Sequence, residues 1–173
     1  MADHNDESSP LLDGVDFVGR LNDLGRRLDN LATAGRRAGL TEPDPGQTER
    51  WDDTQVWAHM AEFVGYWQGE AERVIALYDG DPVPFGRLKD DPDRIAGVEA
   101  ARIEDLAALQ GRVRDSIAEL RRRLEAMTPA EWNAVGRHVR GFDLDVEGII
   151  NRFVLDHLEE HATSIEALAA ERS

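Results

Sequence analysis

Long stretches in which apolar residues recur every three or four positions constrain the fold of this chain more than any other feature. One face of an α-helix has this 3.6-residue period, whereas a half-buried strand shows strict alternation. The pattern predicts four long helices, with no strand signal and no internal repeat. Their expected ranges are 11–40, 53–78, 93–127 and a last helix that starts at Asp143 or Asp145 and continues to about 172. The expected fold class is therefore an all-α four-helix bundle.

Capping patterns mark where two of the helical segments start. Asp52 and Gln55 have the spacing of a capping box at the start of the second helix. The run Thr128-Pro129-Ala130-Glu131 repeats this pattern and predicts a short extra helical turn before the last helix. Residues 1–10 are charged and contain Ser and Pro without periodicity, so we expect a disordered N-terminal tail. Residues 11–173 are then expected to form a single bundle domain.

Charge and residue content exclude several classes of function. The chain carries 35 acidic against 20 basic residues, a formal net charge of −15, which disfavours nucleic acid as a partner. No apolar run approaches the roughly 18 residues of a membrane span, and the polar start has no signal-peptide pattern, so we expect a cytoplasmic protein that does not bind membranes. The chain has no cysteine. Any metal site must therefore be built from His, Asp and Glu.

Two histidines interrupt the apolar stripe of the last predicted helix. His157 and His161 are four residues apart, so their imidazoles share one helix face and can converge on one ion. His59 lies on the expected inner face of the second helix, and bundle helices pack about 8–10 Å apart, close enough for side chains of two helices to meet. Two interpretations stay open on the residues alone. The three histidines are metal ligands, or they are hydrogen-bonded core residues.

Other side chains near these histidines have weaker assignments. Glu62 and Glu160 could accept hydrogen bonds from imidazole N–H groups, or they are solvated helix carboxylates. Arg137 and Arg140 could bind a carboxylate of a substrate or cofactor, or they are ordinary surface arginines. His138 falls in a predicted connection and is expected to be exposed. Four aromatic residues could line a pocket or fill the core: Trp57, Tyr66, Trp67 and Trp132.

Two segments resemble a known family. Residues 51–60 (WDDTQVWAHM) are similar to the entry to the second helix of the DinB-like superfamily, and residues 153–165 (FVLDHLEEHATSI) are similar to its last helix. The resemblance covers residues 11–172. The family motif, one histidine on helix two and HxxxH on helix four, maps onto His59, His157 and His161. The resemblance implies a four-helix bundle in which these three histidines hold a divalent metal, most commonly zinc or nickel.

The same resemblance implies an activity. The superfamily includes thiol-dependent S-transferases and mycothiol-dependent maleylpyruvate isomerases, so we expect a metal-dependent enzyme that activates a low-molecular-weight thiol such as mycothiol towards an electrophilic substrate. An alternative is a non-catalytic divalent-metal-binding or stress-response protein with the same histidine triad. A third hypothesis is a homodimeric interaction bundle without a metal. The sequence names neither catalytic nor cofactor-binding residues beyond the metal ligands.

Overall fold

The computed structural model describes residues 14–43 and 48–170, and helices dominate both ranges. The predicted tail at 1–10 lies outside the described residues. The helices are α1 (Gly14–Thr33), α2 (Asp53–Leu77), α3 (Pro92–Ala101), α4 (Leu106–Ala126), α5 (Pro129–Trp132), α6 (Val146–Ile150) and α7 (Asp156–Ala167). A π-helical turn, Asn151–Leu155, joins α6 to α7, and the three together are called the C-terminal rod below. None of the described helices is long and apolar enough to cross a membrane.

Four rods pack side by side and close a ring of contacts. α1 packs on α4, α4 on α2, α2 on the C-terminal rod, and that rod packs back on α1. The predicted all-α four-helix bundle is therefore confirmed. The short extra turn is also present as α5, which starts with a capping box between Thr128 and Glu131. The C-terminal rod starts where the sequence predicted, because the Asp145 side chain accepts a hydrogen bond from the Gly148 N–H and caps it.

The core between the rods consists of the predicted apolar stripes. Buried residues recur every three or four positions in α1 (Leu21, Leu24, Leu28, Leu31) and in α4 (Leu109, Val113, Ile117, Leu120, Leu124). α2 contributes the large buried side chains Trp57, Met60 and Phe63. Full burial of each such side chain is worth about 1.5–3 kcal/mol. This packing fixes which face of α2 is turned towards the C-terminal rod.

The third predicted helix, 93–127, is wrong as a single element. The chain breaks between α3 and α4, where the Asp105 side chain accepts hydrogen bonds from the backbone N–H groups of Ala107 and Ala108 and starts α4. Ile103, which lies inside the predicted range 93–127, is 91% exposed. An aspartate that binds nearby backbone N–H groups competes with a continuous helix, and apolar spacing alone does not detect this competition.

The first predicted helix is also shorter than expected. It ends at Thr33, whose hydroxyl donates to the Asp29 carbonyl, instead of near residue 40. Gly35 follows with a φ of +83°, a left-handed conformation that glycine adopts without steric cost. The chain then enters a short strand, so the apolar periodicity overestimated the helix by about two turns.

Two small sheets lie beside the bundle, although the sequence pattern predicted no strand. β1 (Arg37–Ala38) pairs antiparallel with β5 (Ala169–Ala170). In the other sheet β3 (Val135–His138) lies between β2 (Val83–Phe85), to which it is parallel, and the antiparallel β4 (Asp143–Asp145). Strands of two to four residues are too short to show a period of two. A Cβ at Gly136 would come within 2.6 Å of the Phe85 ring, so the three-stranded sheet needs glycine there to pack.

Candidate metal centre

His59 lies in the second turn of α2, and local contacts fix the start of that helix. The Asp52 side chain accepts a hydrogen bond from the Gln55 N–H at 2.8 Å, and the Gln55 side chain accepts one from the Asp52 N–H at 3.0 Å. This capping box satisfies backbone donors that the helix itself cannot. His59 is 4% exposed and faces the C-terminal rod. The capping box therefore fixes where α2 begins and, with it, the position of the buried His59 imidazole along the helix.

His157 and His161 approach His59 from α7. The Nε2 atom of His157 is 3.1 Å from Nε2 of His59 and 3.0 Å from Nε2 of His161. One ring nitrogen from each of the three histidines lies within 4.8 Å of those of the other two. The structure therefore brings together all three histidines that the sequence singled out.

Hydrogen bonding alone does not satisfy this arrangement. The Nε2 atom of His157 has either one proton or one in-plane lone pair, so it cannot form good hydrogen bonds with both neighbouring imidazoles. Nitrogens bound to one tetrahedral zinc ion at about 2.0–2.1 Å lie roughly 3.3 Å apart, close to the two distances found here. The three histidines fit one divalent ion, towards which all three lone pairs can point.

The surroundings keep two of these imidazoles uncharged. Burial, followed by the neighbouring His161 and His157, lowers the pKa of His59 well below its usual value. Burial and the neighbouring His157 lower the pKa of His161 to about 3. Arg94 adds to both shifts. Because a metal binds neutral imidazole, these shifts leave the lone pairs available at neutral pH.

Aromatic rings pack around the three histidines. The Trp51 ring meets His59 edge-on at 4.9 Å between centroids and stacks over His161 at 6.0 Å. Phe63, one turn after His59, meets the His157 ring at 4.6 Å. These rings exclude water from one side of the cluster and fix the imidazole orientations, which lowers the entropy cost of binding an ion.

An arginine from α1 holds the segment on which His157 lies. The Arg20 guanidinium donates to Asn151 at 2.5 Å, to Asp156 at 2.9 Å and to Glu159 at 2.9 and 3.1 Å. Asn151 in turn donates to Asp156 at 3.3 Å. These partners lie at the start of the π-helical turn and on both sides of His157. Arg20 therefore connects α1 to the part of the C-terminal rod that sets the position of His157.

The two carboxylates predicted to support the imidazoles have different positions. A carboxylate oxygen of Glu160 lies 3.7 Å from Nδ1 of His157, within ion-pair range but too far for a hydrogen bond. Glu62 pairs with Arg87 at 2.6 Å. Nδ1 of His59 is buried and has no hydrogen-bond partner among the described residues. His59 is thus held by packing against Trp51 and Phe63 and not by a carboxylate of the described residues.

Two of the three histidines line a large pocket. It has a volume of about 1050 Å³, and His59 and His157 are part of its wall. The lining also includes the aromatic residues Phe63, Trp67, Phe142 and Phe153, five cationic residues (Arg87, Lys89, Arg94, Arg140, Arg152) and the acids Asp156, Glu159 and Glu160. Small-molecule sites usually fall between about 300 and 1,000 Å³. This pocket has room for two small reactants next to the histidines.

Comparisons with known proteins give matches among solved structures only. No protein-family model matches the sequence, and no curated protein does. YfiT from Bacillus subtilis, described as a probable metal-dependent hydrolase with an unusual four-helix bundle topology, superposes with a TM-score of 0.69 at 16% identity, over 92% of this chain and 87% of YfiT. The chain shares the four-helix-bundle fold of YfiT. The fold implied by the sequence resemblance is thereby confirmed.

A second solved structure agrees with this result. The mycothiol-dependent maleylpyruvate isomerase superposes on the chain with a TM-score of 0.67 at 14% identity, over 91% of this chain and 62% of the isomerase. A histidine-to-alanine variant of that isomerase gives a TM-score of 0.66. At these identities the similarity shows a shared fold alone, and the chain spans less than two thirds of the isomerase's length.

The other predicted site residues lie in and around this pocket to different degrees. Arg140 lines it, whereas Arg137 points away and pairs with Asp143 at 2.7 Å. Of the four aromatic residues only Trp67 lines the pocket. Trp57 is buried in the core, Trp132 stacks on Phe17, and the Tyr66 ring lies under the Arg87 guanidinium.

The expectation that His138 is exposed is wrong. It is 3% exposed, because its ring lies between Phe142 at 4.7 Å and Phe153 at 5.2 Å in nearly parallel stacks. Burial, followed by Arg140 and Arg152, lowers its pKa. A Cβ at Gly86 would come within 2.5 Å of the His138 ring, so this histidine is packed against the end of β2, where it also forms part of the pocket wall. Sequence reasoning missed this position because β3 has no strand signal.

Proposed function

We propose that the chain is a metal-dependent enzyme that acts with a low-molecular-weight thiol, with His59, His157 and His161 as the protein ligands of one divalent ion. One observation carries the proposal. The Nε2 atom of His157 lies at hydrogen-bonding distance from Nε2 of both His59 and His161 and cannot bond well to both, and His59 and His157 line a pocket of about 1050 Å³. A structural metal site is usually closed, whereas a catalytic site keeps a coordination position open to substrate.

The residues of the chain have separate tasks in this proposal. The neutral imidazoles hold the ion and leave it its full positive charge. A divalent ion held in this way supplies a Lewis acid that lowers the pKa of a thiol or water bound to it. Trp51 and Phe63 shield the imidazoles from bulk water, and the pocket positions the acceptor beside the thiol. The thiol must come from outside, since the chain has no cysteine.

The choice of metal and reaction rests on the donor set and on the structural neighbours. Three imidazoles suit zinc, nickel, copper or iron. Among these we favour zinc or nickel, because the sequence resemblance implies them. One neighbour is a mycothiol-dependent isomerase and the other is described as a metal-dependent hydrolase. We therefore favour transfer of a mycothiol-like thiol to an electrophile, or isomerisation through a thiol adduct. Metal binding without catalysis is the alternative, and the large pocket beside the histidines argues for the enzyme.

Metal content provides the first test. Protein purified without a histidine tag and dialysed against zinc or nickel should hold about one equivalent, and His157→Ala should weaken binding by more than the roughly 100-fold that loss of an outer contact costs. Ser164→Ala is the matched control, since Ser164 lies on α7 and lines the pocket but bonds only to the Glu160 carbonyl. Less than about a tenth of an equivalent in the wild type would contradict the proposal.

Catalysis provides the second test. A panel of low-molecular-weight thiols is incubated with monochlorobimane, and conjugation is followed by fluorescence. We expect metal-dependent turnover with at least one thiol, abolished in His157→Ala and retained in Arg137→Gln, whose side chain pairs with Asp143 outside the pocket. Stoichiometric metal without turnover, on thiols or on ester substrates, would favour the non-catalytic alternative. Ester hydrolysis without thiol conjugation would instead assign the same centre to a hydrolase.

A further inference from the structure

A second group of charged residues lines the same pocket close to the histidines. Arg152 lies on the C-terminal rod five residues before His157, roughly 7 Å away along a helix axis. Arg140 lies in the turn between β3 and β4 and also lines the pocket. A small molecule that contacts the histidines can therefore extend to these guanidinium groups.

The two arginines differ from most arginines of the chain in their partners. Arg20, Arg27, Arg73, Arg87, Arg123 and Arg137 each form an ion pair with a carboxylate. Across residues 14–43 and 48–170, neither Arg140 nor Arg152 forms one. The Arg152 guanidinium lies over the Phe142 ring at 4.9 Å and over the Phe153 ring at 5.6 Å. Arg94 also lines the pocket without a carboxylate ion pair among the described residues, but its guanidinium donates to the Lys89 carbonyl at 2.9 Å. In a chain with 15 excess negative charges, the guanidinium groups of Arg140 and Arg152 mark a place for an external anion.

A rigid stack of rings holds this part of the wall. Trp67 stacks on Phe153 at 4.2 Å, Phe153 on His138 at 5.2 Å, and His138 on Phe142 at 4.7 Å, with interplanar angles of 14–17°. Nδ1 of His138 accepts a hydrogen bond from the Arg140 backbone N–H at 3.2 Å. Gly141, with a φ of +87°, turns the chain directly after Arg140. The backbone of Arg140 and the ring face under Arg152 are therefore fixed before any ligand binds, which reduces the entropy cost of binding.

We propose that Arg140 and Arg152 form a carboxylate subsite of the pocket, which receives the anionic end of a ligand whose other end reaches the three histidines. The inference rests on the proposed function and names its substrate class, a thiol or an acceptor that carries a carboxylate. The guanidinium fork matches a planar carboxylate. Inorganic phosphate can bind the same guanidinium groups, but it has no second end that extends towards the histidines, so we expect it to bind more weakly than a ligand with two separated ends.

Calorimetric titration of metal-free protein with glutarate tests the subsite without the metal. Glutaramide, the uncharged analogue, and inorganic phosphate are the comparison ligands. We expect saturable binding of glutarate, no binding of glutaramide, and weaker binding of phosphate. Arg140→Gln and Arg152→Gln should each raise the glutarate dissociation constant about tenfold, the loss expected for one charge-assisted hydrogen bond. Arg152→Lys keeps the charge without the fork, and it should give an intermediate constant.

Arg137→Gln is the matched control. Arg137 lies on the same hairpin and carries the same charge, but it pairs with Asp143 outside the pocket. We expect its glutarate constant to equal that of the wild type, and the melting temperatures of all variants confirm that they fold. Equal glutarate binding by the wild type and both pocket variants would overturn the proposal. Equal binding of glutaramide, tighter binding of phosphate, or no saturation below about 10 mM would do so as well.

The two proposals fail in distinguishable ways. Wild-type protein that takes up no zinc or nickel, yet binds glutarate through Arg140 and Arg152, refutes the metal-dependent activity and leaves the carboxylate subsite in place. Wild-type protein that takes up metal and conjugates thiols, yet binds glutarate independently of these arginines, refutes the subsite alone.

Discussion

The two segments that supply the histidines are held in place in different ways. His59 lies in α2, whose start is fixed by the Asp52–Gln55 capping box, a contact between residues three apart. His157 and His161 follow a π-helical turn, and that turn is held by Arg20, whose partners are 131 to 139 residues away in the sequence. One side of the candidate centre depends on local contacts, and the other side depends on tertiary contacts.

The π-helical turn explains why the segment that carries His157 and His161 needs the contacts made by Arg20. Its hydrogen bonds span five residues, as in the Asp156 N–H to Asn151 carbonyl bond, so the turn adds a residue and rotates α7 relative to α6. Such turns are rare and are frequent at functional sites. The rotation places both α7 histidines opposite His59. Because α2 is held by local contacts and α7 by tertiary contacts, we expect some substitutions to affect metal binding and others to affect only stability.

Among the substitutions that test the difference between the two segments, Arg20→Ala is expected to have the largest effect on metal affinity. Asp156 and Glu159 then lose their common partner, and the segment around His157 loses its link to α1. We expect the affinity for zinc or nickel to fall about 10- to 100-fold, as for other outer contacts of a metal site. The free energy of unfolding should fall by only about 1–2 kcal/mol, because these ion pairs are partly exposed. Competition with a chromophoric chelator and urea denaturation measure the two quantities.

Arg27→Ala is the control for that prediction. Arg27 also joins α1 to α7, through Glu166 at 2.5 Å and Thr163 at 2.8 Å, but its partners lie beyond the histidines and away from the π-helical turn. Its loss should change stability by a similar amount and leave metal affinity unchanged. An equal loss of metal affinity in both variants would mean that any link between α1 and α7 suffices, and the special role of the π-helical turn would be wrong.

The locally held side is also the side that the sequence predicts well. The capping box at Asp52, the inward position of His59 and the cap at Asp145 all rest on short-range rules of residue type and spacing, and the structure shows each of them. The four-helix bundle follows from periodicity in the same way. The HxxxH spacing placed His157 and His161 on one face, although the π-helical turn before them went undetected.

Features that depend on distant contacts were missed. Nothing in the residues around Arg20 indicates that it binds Asn151 and Asp156, because a carboxylate partner more than 130 residues away leaves no local pattern. The burial of His138 depends on rings from β2 and the C-terminal rod, which a sequence without strand signal does not bring together. The break before Asp105 was also missed, because the capping preference of this aspartate opposes the apolar periodicity that predicts one continuous helix.

A smaller effect is expected from Asp52→Ala, which removes the cap of α2. The free energy of unfolding should fall by about 1 kcal/mol, the usual value of such a cap. Metal affinity should stay within about threefold of the wild type, because the buried Val56, Trp57 and Met60 still hold α2 against the core. Asp105→Ala, which removes the cap of α4 away from the histidines, is the control. A tenfold loss of metal affinity confined to Asp52→Ala would show that the cap positions His59.

The smallest expected effect is on stability and comes from Asp53, a buried carboxylate next to the capping residue Asp52 of α2. Asp53 is 2% exposed, and one of its oxygens accepts a hydrogen bond from the Arg37 N–H at 2.9 Å, while the other is buried without a partner among the described residues. Burial raises the pKa of this carboxyl despite the hydrogen bond. Its contribution to stability is therefore fully present below the unfolded-state pKa of about 4 and is lost as the pH rises through the higher folded-state pKa.

Asp53→Asn tests whether the hydrogen bond from the Arg37 N–H stabilises the start of α2 in addition to the local capping box. Asparagine does not titrate, so the stability of the variant relative to the wild type should rise as the pH increases from about 4 through the raised folded-state pKa of Asp53, and then level off. Urea denaturation of both proteins at half-unit pH intervals measures the difference. A constant difference across that range would mean that Asp53 titrates alike in the folded and unfolded chains. The link from α2 to Arg37 would then carry no pH-dependent energy, and the start of α2 would depend on its capping box and core contacts alone.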